Sequence, residues 1–377
     1  MKKEKIECVC AKKTSIGGQA LMEGIMMRGP KNTAMAVRNT KGEIVVEEFL
    51  TKGVKRPAIC RWPVIRGIFG YLDSMTVGYR CLMRSAELSG LEDIVEESPK
   101  KKKKREAEQA ARAAEAVTEA PAGEAPPATE EVTDAYLIDC EIKATEKKDD
   151  KLPAWVMTAT MVVSLVLAFA LAIGLFALLP TVLYNQLAKN VGFLTANGAA
   201  LNSLIKSAFE GVLKILLLVG YMALISLMKD IRRTFMYHGA EHKTIFCYEA
   251  GLELTVENVR RQRRFHPRCG TSFLILMLLV GIFISFFIDP VSILIMGKTL
   301  PTLLRVAVKL LTLPLIVGIG YELIKLAGRH DNLFTRILSA PGVWLQRITV
   351  LEPTDDMIEC AIEAMVRVIP SDNSDNY

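Results

Sequence analysis

The sequence is poor in the residues that most often carry protein chemistry. It has four histidines among 377 residues, so imidazole chemistry is confined to very few positions. Its eight cysteines form no compact framework, which excludes a small disulfide-stapled secreted protein, and we expect mostly reduced thiols facing the cytosol. The N-terminus, M-K-K-E-K-I-E-C, lacks an apolar core behind its lysines, so we expect no signal peptide.

Hydrophobic residues, by contrast, are abundant and clustered. They make up 51% of the chain, and the mean hydropathy is +0.27. No charged residue occurs from Leu152 to Ala188. That run exceeds the roughly 20 residues needed to cross a bilayer, and the sequence predicts an α-helical membrane protein with about four transmembrane helices. We place these spans at about 154–179, 208–228, 271–288 and 306–326.

Lysine and arginine are distributed unevenly between the loops that join these spans. They are frequent in the loop 229–270 and rare in the loops 180–206 and 289–304. By the positive-inside rule the basic loop faces the cytoplasm, and both termini must then be cytoplasmic too. The chain is therefore predicted to be a multi-pass membrane protein.

The segments outside the membrane divide by composition. A small cytoplasmic α+β unit is predicted near the N-terminus, with two strands joined by a turn around Asn39 to Gly42. At the other end, P-G-V-W-L-Q-R-I-T-V-L-E-P predicts a loop or short extended piece, and Thr354 is expected to cap a final amphipathic helix. The predicted boundaries are 1–13 for a disordered N-terminus, 14–91 for the α+β unit, 92–151 for a disordered charged Ala/Glu/Pro linker, 152–330 for the membrane domain and 331–377 for the cytoplasmic C-terminal segment.

A helix predicted at about 63–86 carries an apolar stripe with arginines on its other faces. Two interpretations stay open. The helix packs on its own domain, or it lies in the membrane interface with its arginines toward anionic phospholipid head groups. The expected partners are therefore the lipid bilayer and anionic lipid. No nucleic-acid partner is expected, and no protein partner is indicated.

Few charged residues fall near the predicted spans. Glu210 and Lys214 are four apart and are expected to pair on one helix face near the outer interface. Arg305 and Lys309 are expected to reach out to the interface by their long side chains. Glu322, near the inner end of the fourth span, either pairs with an arginine or reaches the proposed site. No ion path is evident, which disfavours a transporter.

The strongest chemical pattern lies in the basic loop, in M-Y-H-G-A-E-H-K-T-I-F-C-Y-E. His238 and His242 are four apart, which puts both imidazoles on one helix face and suits a shared metal ion. Glu241 between them gives H-x-x-E-H, the inverted zinc-peptidase order in which the glutamate is the general base. Continuing the helix brings Glu249 to nearly the same angle, which makes it a candidate third ligand.

The same loop ends in R-F-H-P-R-C-G, where His266 and Cys269 offer a further nitrogen and a thiolate. Four protein ligands would favour a structural metal, and three with an open position would favour catalysis. If the second span continued straight, His238 would stand roughly 15 Å beyond Met228. The helix must therefore bend or tilt for these groups to meet. A competing interpretation is that the histidines and arginines bind lipid phosphate or cap the loop.

Five ordered motifs together resemble the bacterial YqhQ-like membrane family, a family of unknown function described as predicted metal-dependent enzymes. The resemblance spans most of the chain except the linker 92–151. It implies a bacterial cytoplasmic (inner) membrane protein in which Glu241 and the four residues His238, His242, His266 and Cys269 belong to one site. The motifs are G-G-Q-A-L-M-E-G-I-M-M-R-G-P, Y-H-G-A-E-H-K-T-I-F-C-Y-E, L-T-V-E-N-V, H-P-R-C-G-T-S-F and P-G-V-W-L-Q-R-I-T.

Two functional hypotheses from different classes follow. The first is an integral membrane metalloprotein, zinc being the most suitable metal, with a cytoplasmic site and a metal-dependent hydrolase as the enzyme class. In it Glu241 is the catalytic base, and the ligands come from His238, His242, His266, Cys269 and Glu249. The alternative is a non-enzymatic membrane scaffold that binds a lipid or a partner through its basic loop.

Overall fold

The computed structural model describes residues 13–51, 57–90, 154–194, 198–330, 332–372 and 374–375. Over these residues the chain is mostly helical, with one small sheet near the N-terminus. The predicted disordered N-terminus and linker lie almost wholly outside the described residues. The strands are β1 (Gly17–Leu21), β2 (Gly24–Arg28), β3 (Asn32–Arg38) and β4 (Ile44–Leu50).

Eleven α-helices occur among the described residues. They are α1 (Ile65–Leu88), α2 (Ala154–Ile173), α3 (Leu179–Asn190), α4 (Ala199–Ile225), α5 (Lys229–Glu249), α6 (Val256–Arg260), α7 (Gly270–Met296), α8 (Thr302–Leu311), α9 (Leu313–Arg329), α10 (Leu333–Thr349) and α11 (Asp355–Val366). A π-helical turn, Gly174–Leu178, joins α2 to α3, and short 3-10 helices occur at Ala58–Arg61 and Gly192–Leu194.

The sheet is an antiparallel meander in the order β1-β2-β3-β4. The expected turn between two strands is confirmed: Asn39 Oδ1 accepts hydrogen bonds from the N–H groups of Lys41 and Glu43 at 2.9 and 3.0 Å, and Gly42 has φ +86°. That left-handed conformation is one glycine adopts without a steric penalty. Strands β1 and β2 were not predicted, because their glycine-rich sequence lacks the alternation of apolar and polar residues that is typical of strands.

One face of the sheet carries the core of the N-terminal unit. Ile25 and Met27 of β2 are fully buried against α5 and α11. Helix α11 begins after Thr354 and buries Met357 and Met365, so the predicted amphipathic C-terminal helix is confirmed. Thr354 is its N-cap residue, but the Thr354 side chain makes no capping hydrogen bond. This packing fixes α5, and its histidines, to the sheet.

Within the described parts of the chain, three helices are long and apolar enough to cross a membrane: Val162–Asn190, Leu201–Ile225 and Gly270–Met296. A fourth candidate is the pair α8 and α9, bent by 44° at Thr312. This supports three of the predicted spans directly, and the fourth, predicted at about 306–326, corresponds to the bent pair. The third span is also longer than predicted, because α7 continues through Asp289 and Pro290.

The helix break expected before the histidines is present. Helix α4 ends at Ile225, Met228 is extended with ψ 131°, and α5 starts at Lys229. The chain therefore changes direction between the second span and the histidines, which lets α5 pack on the sheet.

The loop predicted over P-G-V-W-L-Q-R-I-T is wrong up to Thr349, because this stretch forms the second half of α10. Asn332 and Thr335 cap the helix reciprocally, and Pro341 lies within it. Gly342 lets α10 approach α7 so closely that a Cβ there would lie 2.6 Å from Ser272 Oγ. Packing against α7 thus outweighs the helix-breaking tendency of Pro-Gly. Only Val350 to Pro353 are extended or irregular.

The expectation that Arg305 reaches out to the interface is also wrong. Its side chain is 2% exposed and is bonded to Glu210 and Asp289. Glu210 contacts Lys309 as well, so its ion pairs run between helices and not along one helix face to Lys214 as expected.

Gly239 of α5 is expected to tolerate no side chain. A Cβ there would lie 1.9 Å from the carbonyl oxygen of Leu351, a backbone atom that cannot rotate away. Gly239→Ala should lower the free energy of unfolding by about 1–3 kcal/mol, the usual cost of overpacking. Gly220→Ala in α4 is the matched control, because no described atom lies within 4 Å of its Cβ position. Equal thermal unfolding temperatures for the two variants would contradict this close approach.

Candidate metal centre

Three side chains converge where α5 meets the start of α7. His238 and His242 come from successive turns of α5, and Cys269 is the N-cap residue of α7. One ligand atom from each lies within 4.8 Å of the other two. His242 and Cys269 are 1% and 5% exposed, and His238 is half-buried. The i, i+4 spacing supplies the two imidazoles, and the preceding loop supplies the thiol.

Backbone carbonyls orient both imidazoles. Nδ1–H of His238 donates to the carbonyl of Thr349 at 3.0 Å, and Nδ1–H of His242 donates to the carbonyl of Arg264 at 2.5 Å. A neutral imidazole with its proton on Nδ1 has its lone pair on Nε2. Both Nε2 atoms are thus turned toward the cluster, and each offers a lone pair to a ligand when its imidazole is neutral, which is how proteins orient metal-binding histidines.

Cys269 lies directly against one of these nitrogens. His238 Nε2 is 2.9 Å from Cys269 Sγ. Burial alone would lower the pKa of His238, but the charge and hydrogen bond of Cys269 outweigh it and raise that pKa to about 9. Burial likewise opposes ionisation of Cys269, yet His238 and His242 hold the pKa of its thiol well below the ordinary value. The cluster therefore favours a thiolate, the form of cysteine that binds metals.

Glu241 lies beside the cluster on the side of the sheet. It is buried, it interacts electrostatically with His238, His242 and Cys269, and it accepts a hydrogen bond from the backbone N–H of Gly18. Burial raises the pKa of Glu241, against the opposing effect of the two histidines. A carboxyl group in this setting can hold and release a proton next to the cluster.

His266 and Glu249 belong to a neighbouring network. Nδ1 of His266 accepts the backbone N–H of Arg268 at 3.2 Å, so its Nε2 carries the proton and faces Glu249 Oε2 at 3.7 Å. Glu249 is 2% exposed, is paired with Arg268 and accepts the N–H of Thr14 at 3.0 Å. Burial lowers the pKa of His266 to about 4, so it is neutral at physiological pH.

Gln346 of α10 holds the segment that carries Cys269. Its Oε1 accepts the N–H of His266 at 2.8 Å, and its Nε2 donates to the carbonyl of His266 at 2.6 Å and to Ser272 Oγ at 2.8 Å. Sequence reasoning did not single out this residue. The only available signal was its position in one of the shared motifs, since its partners are far away in sequence.

Glu352 ties the same segment to α5. It is paired with the buried Lys243 and lies 3.2 Å from Arg264, whose carbonyl accepts the hydrogen bond of His242. The carboxylate thus restrains the backbone that orients His242.

Two other acidic residues lie away from the cluster in paired positions. Glu322 of α9 accepts Arg66 Nε at 2.6 Å, so of the two roles considered for Glu322 the structure shows the arginine pair. Glu23, at φ 51°, accepts Arg233 Nε at 2.5 Å and joins the β1–β2 turn to α5. The first pair joins α1 to α9, and the second joins the sheet to α5, the helix that carries His238 and His242.

The fold and this cluster define a mostly helical protein with three or four helices of membrane-spanning length and a His/His/Cys group that could hold a metal. The chain belongs to the family described as Protein of unknown function (DUF1385), whose model matches residues 62–371. It is similar to the uncharacterized protein YqhQ of Bacillus subtilis (strain 168), with 31% identity over 350 residues that cover 92% of this chain and 90% of the relative. No solved structure matches. The YqhQ-like resemblance is thereby confirmed.

Proposed function

We propose that the chain is an integral membrane metalloprotein that holds a divalent transition metal at His238, His242 and Cys269. The observation that carries this proposal is the convergence of two Nε2 atoms and one thiolate within 4.8 Å. The Nδ1–H bonds of both imidazoles turn their Nε2 atoms toward the cluster, and a metal ion would replace the proton that His238 Nε2 shares with Cys269. The three groups therefore need little rearrangement to bind an ion.

The residues fit such an ion in a second respect. His242 Nε2 is buried and has no hydrogen-bond partner among the described residues. A buried polar atom without a partner costs free energy, and a bound metal would remove that cost. Two nitrogens and one sulfur match the ligand preferences of zinc, which we take as the most suitable metal.

A hydrolase is the enzyme class that this ligand set supports best. Three protein ligands leave a position open, as in catalytic zinc sites. A metal bound there would supply Lewis-acid activation of water or of a substrate carbonyl or phosphoryl oxygen. Glu241 would accept and return the proton, since it is buried beside the ligands with a raised pKa. His266 and Glu249, engaged with Arg268, would hold the loop and not the metal.

The apolar helices support a location in the bacterial cytoplasmic membrane. Leu167, Phe169 and Leu171 of α2 are 64%, 62% and 72% exposed, which suits contact with hydrocarbon. The arginines of residues 260–268 lie next to Cys269, so the positive-inside rule puts the cluster on the cytoplasmic face, with both termini on that side. Helix α1 also exposes Leu72, Met75 and Tyr79, a stripe suited to an interface rich in anionic phospholipid.

Metal analysis of the full chain tests the proposal. The purified protein should contain about one equivalent of metal, and His238→Ala should lose it, because removing one of three ligands leaves too few to retain an ion. His330→Ala is the matched control, since His330 is exposed and lies in another loop. Glu241→Gln should keep its metal while losing hydrolysis of model esters and phosphoesters. Folded wild-type protein that stays metal-free after exposure to zinc would overturn the proposal.

A further inference from the structure

A second polar cluster lies at the opposite end of α7 from Cys269. It is formed by Asp289 of α7, Glu210 of α4, and Arg305 and Lys309 of α8. At 1.5 Å per residue, Asp289 is roughly 30 Å along the helix axis from Cys269. The cluster is thus separate from the proposed metal centre.

Its charged groups are paired at close range. Arg305 Nη1 lies 3.1 Å from Glu210 Oε1, and Arg305 Nη2 lies 3.0 Å from Asp289 Oδ2. Lys309 Nζ lies 2.7 Å from Glu210 Oε2. Arg305, Glu210 and Asp289 are 2%, 1% and 3% exposed. Buried ionic groups among apolar helices are costly and usually mark a functional site.

The pairing leaves positive charge in excess. Lys206 and Lys214, both half-buried on α4, interact electrostatically with Arg305, Lys309 and Glu210. Four cationic side chains therefore share two carboxylates, Glu210 and Asp289. The Nε–H of Arg305 is also buried without a hydrogen-bond partner among the described residues. A bound anion would offset this excess of positive charge.

A cavity lies next to these cationic side chains. It has a volume of about 680 Å³, and Arg305, Lys206, Lys189, Ser203 and Asp289 are among the residues that line it. Asp289 Oδ2 is bonded to Arg305 and to Ser203 Oγ, the latter at 2.9 Å, whereas Asp289 Oδ1 has no hydrogen-bond partner among the described residues. The lining therefore carries three cationic side chains, Lys189, Lys206 and Arg305, and one carboxylate. The volume falls in the range of ligand sites, and guanidinium and ammonium groups together are typical of phosphate recognition.

We propose that this cavity binds a phosphate group, either the head group of an anionic phospholipid or a soluble phosphate. Lys206 supplies the charge that reaches the ligand, since it lines the cavity and is not needed to neutralise Glu210 or Asp289. Arg305 holds the two carboxylates in place behind it. The site lies at the far end of α7 from the metal centre and does not depend on a metal being bound there.

The full chain in nanodiscs tests the proposal in two arms. In phosphatidylcholine discs, inorganic phosphate is titrated and binding is followed by the unfolding temperature. In a second set, phosphatidylcholine is compared with phosphatidylglycerol in the absence of phosphate. Saturable stabilisation by inorganic phosphate identifies a soluble ligand, and stabilisation by phosphatidylglycerol alone identifies the lipid.

Lys206→Gln should lower the affinity for the ligand that stabilises the wild type, inorganic phosphate or phosphatidylglycerol, by roughly tenfold or more. The reason is that the variant loses one charge-assisted contact. The variant should fold, since the pairs of Arg305 and Lys309 remain. Lys298→Gln is the matched control, an exposed lysine in the α7–α8 connection. Absence of stabilisation in both arms, or equal responses of Lys206→Gln and wild type, would overturn the proposal.

Discussion

Replacing Cys269 with serine is expected to lower the affinity for the metal by more than about 100-fold, because loss of an outer-shell partner alone costs roughly 10–100-fold. The thiolate is the one anionic ligand of the three, and it is held 2.9 Å from His238 Nε2. Serine keeps the size of the side chain but offers a neutral hydroxyl. The measurement is competition with a chelator of known affinity.

Cobalt substitution gives the same prediction a spectroscopic readout. Cobalt bound by wild-type protein should show an intense thiolate-to-metal charge-transfer band, which only a sulfur ligand produces. The band should vanish in Cys269→Ser and persist in Cys60→Ser, a half-buried free cysteine of the Ala58–Arg61 turn. Retention of the band in Cys269→Ser would show that another thiol binds the metal and that the assignment of Cys269 is wrong.

Much of the candidate site could be predicted because its spacing is local. His238 and His242 lie four apart on a helix, and that period alone puts them on one face. The distance to Cys269 could be bridged only by a bend, and the expected break occurs between α4 and α5. Local periodicity thus sufficed to pair the two histidines, whereas Cys269 was only one of three further candidate ligands, with His266 and Glu249.

The division between ligands and supporting groups could not be predicted in the same way. Glu249 shares the helix face of the histidines, but its carboxylate is occupied by Arg268 and Thr14, which come from distant parts of the chain. The protonated nitrogen of His266 is set by the backbone N–H of Arg268. Hydrogen-bond direction and tautomer are tertiary properties, so residue type and spacing do not reveal them.

The fold shows the same limit. The turn at Asn39 to Gly42 depends on residues within the turn itself, and the sequence therefore predicted it correctly. Helix α10 depends on close contact between Gly342 and Ser272, and the burial of Arg305 depends on carboxylates from two other helices. Long-range packing thus outweighs the helix-breaking tendency of Pro-Gly and the tendency of a long cationic side chain to extend toward the membrane interface.

Replacing Arg268 with methionine is expected to destabilise the folded chain by about 3–5 kcal/mol, the usual cost of removing one partner from a buried ion pair. Glu249, which is 2% exposed, would keep its charge without the guanidinium that neutralises it. The carbonyl of Thr14 would also lose the hydrogen bond that Arg268 donates to it at 2.6 Å. The measurement is the free energy of unfolding in detergent micelles. Arg84→Met is the matched control, because the Arg84–Glu47 pair is exposed and its removal should change that free energy little.

The pH dependence of this loss follows from Glu249. Burial favours its neutral form, but the facing N–H of His266 and the charge of Arg268 outweigh burial and lower the pKa of Glu249 to about 2. A carboxylate whose pKa is lowered in the folded state stabilises the fold at every pH above its ordinary pKa of 4.5. That contribution is lost as the pH falls from 4.5 toward 2. The difference in the free energy of unfolding between wild type and Arg268→Met should therefore be largest at neutral pH and should decrease as the pH falls below 4.5. A difference that stays constant down to acidic pH would show that the loss comes from packing and not from the charge of Glu249.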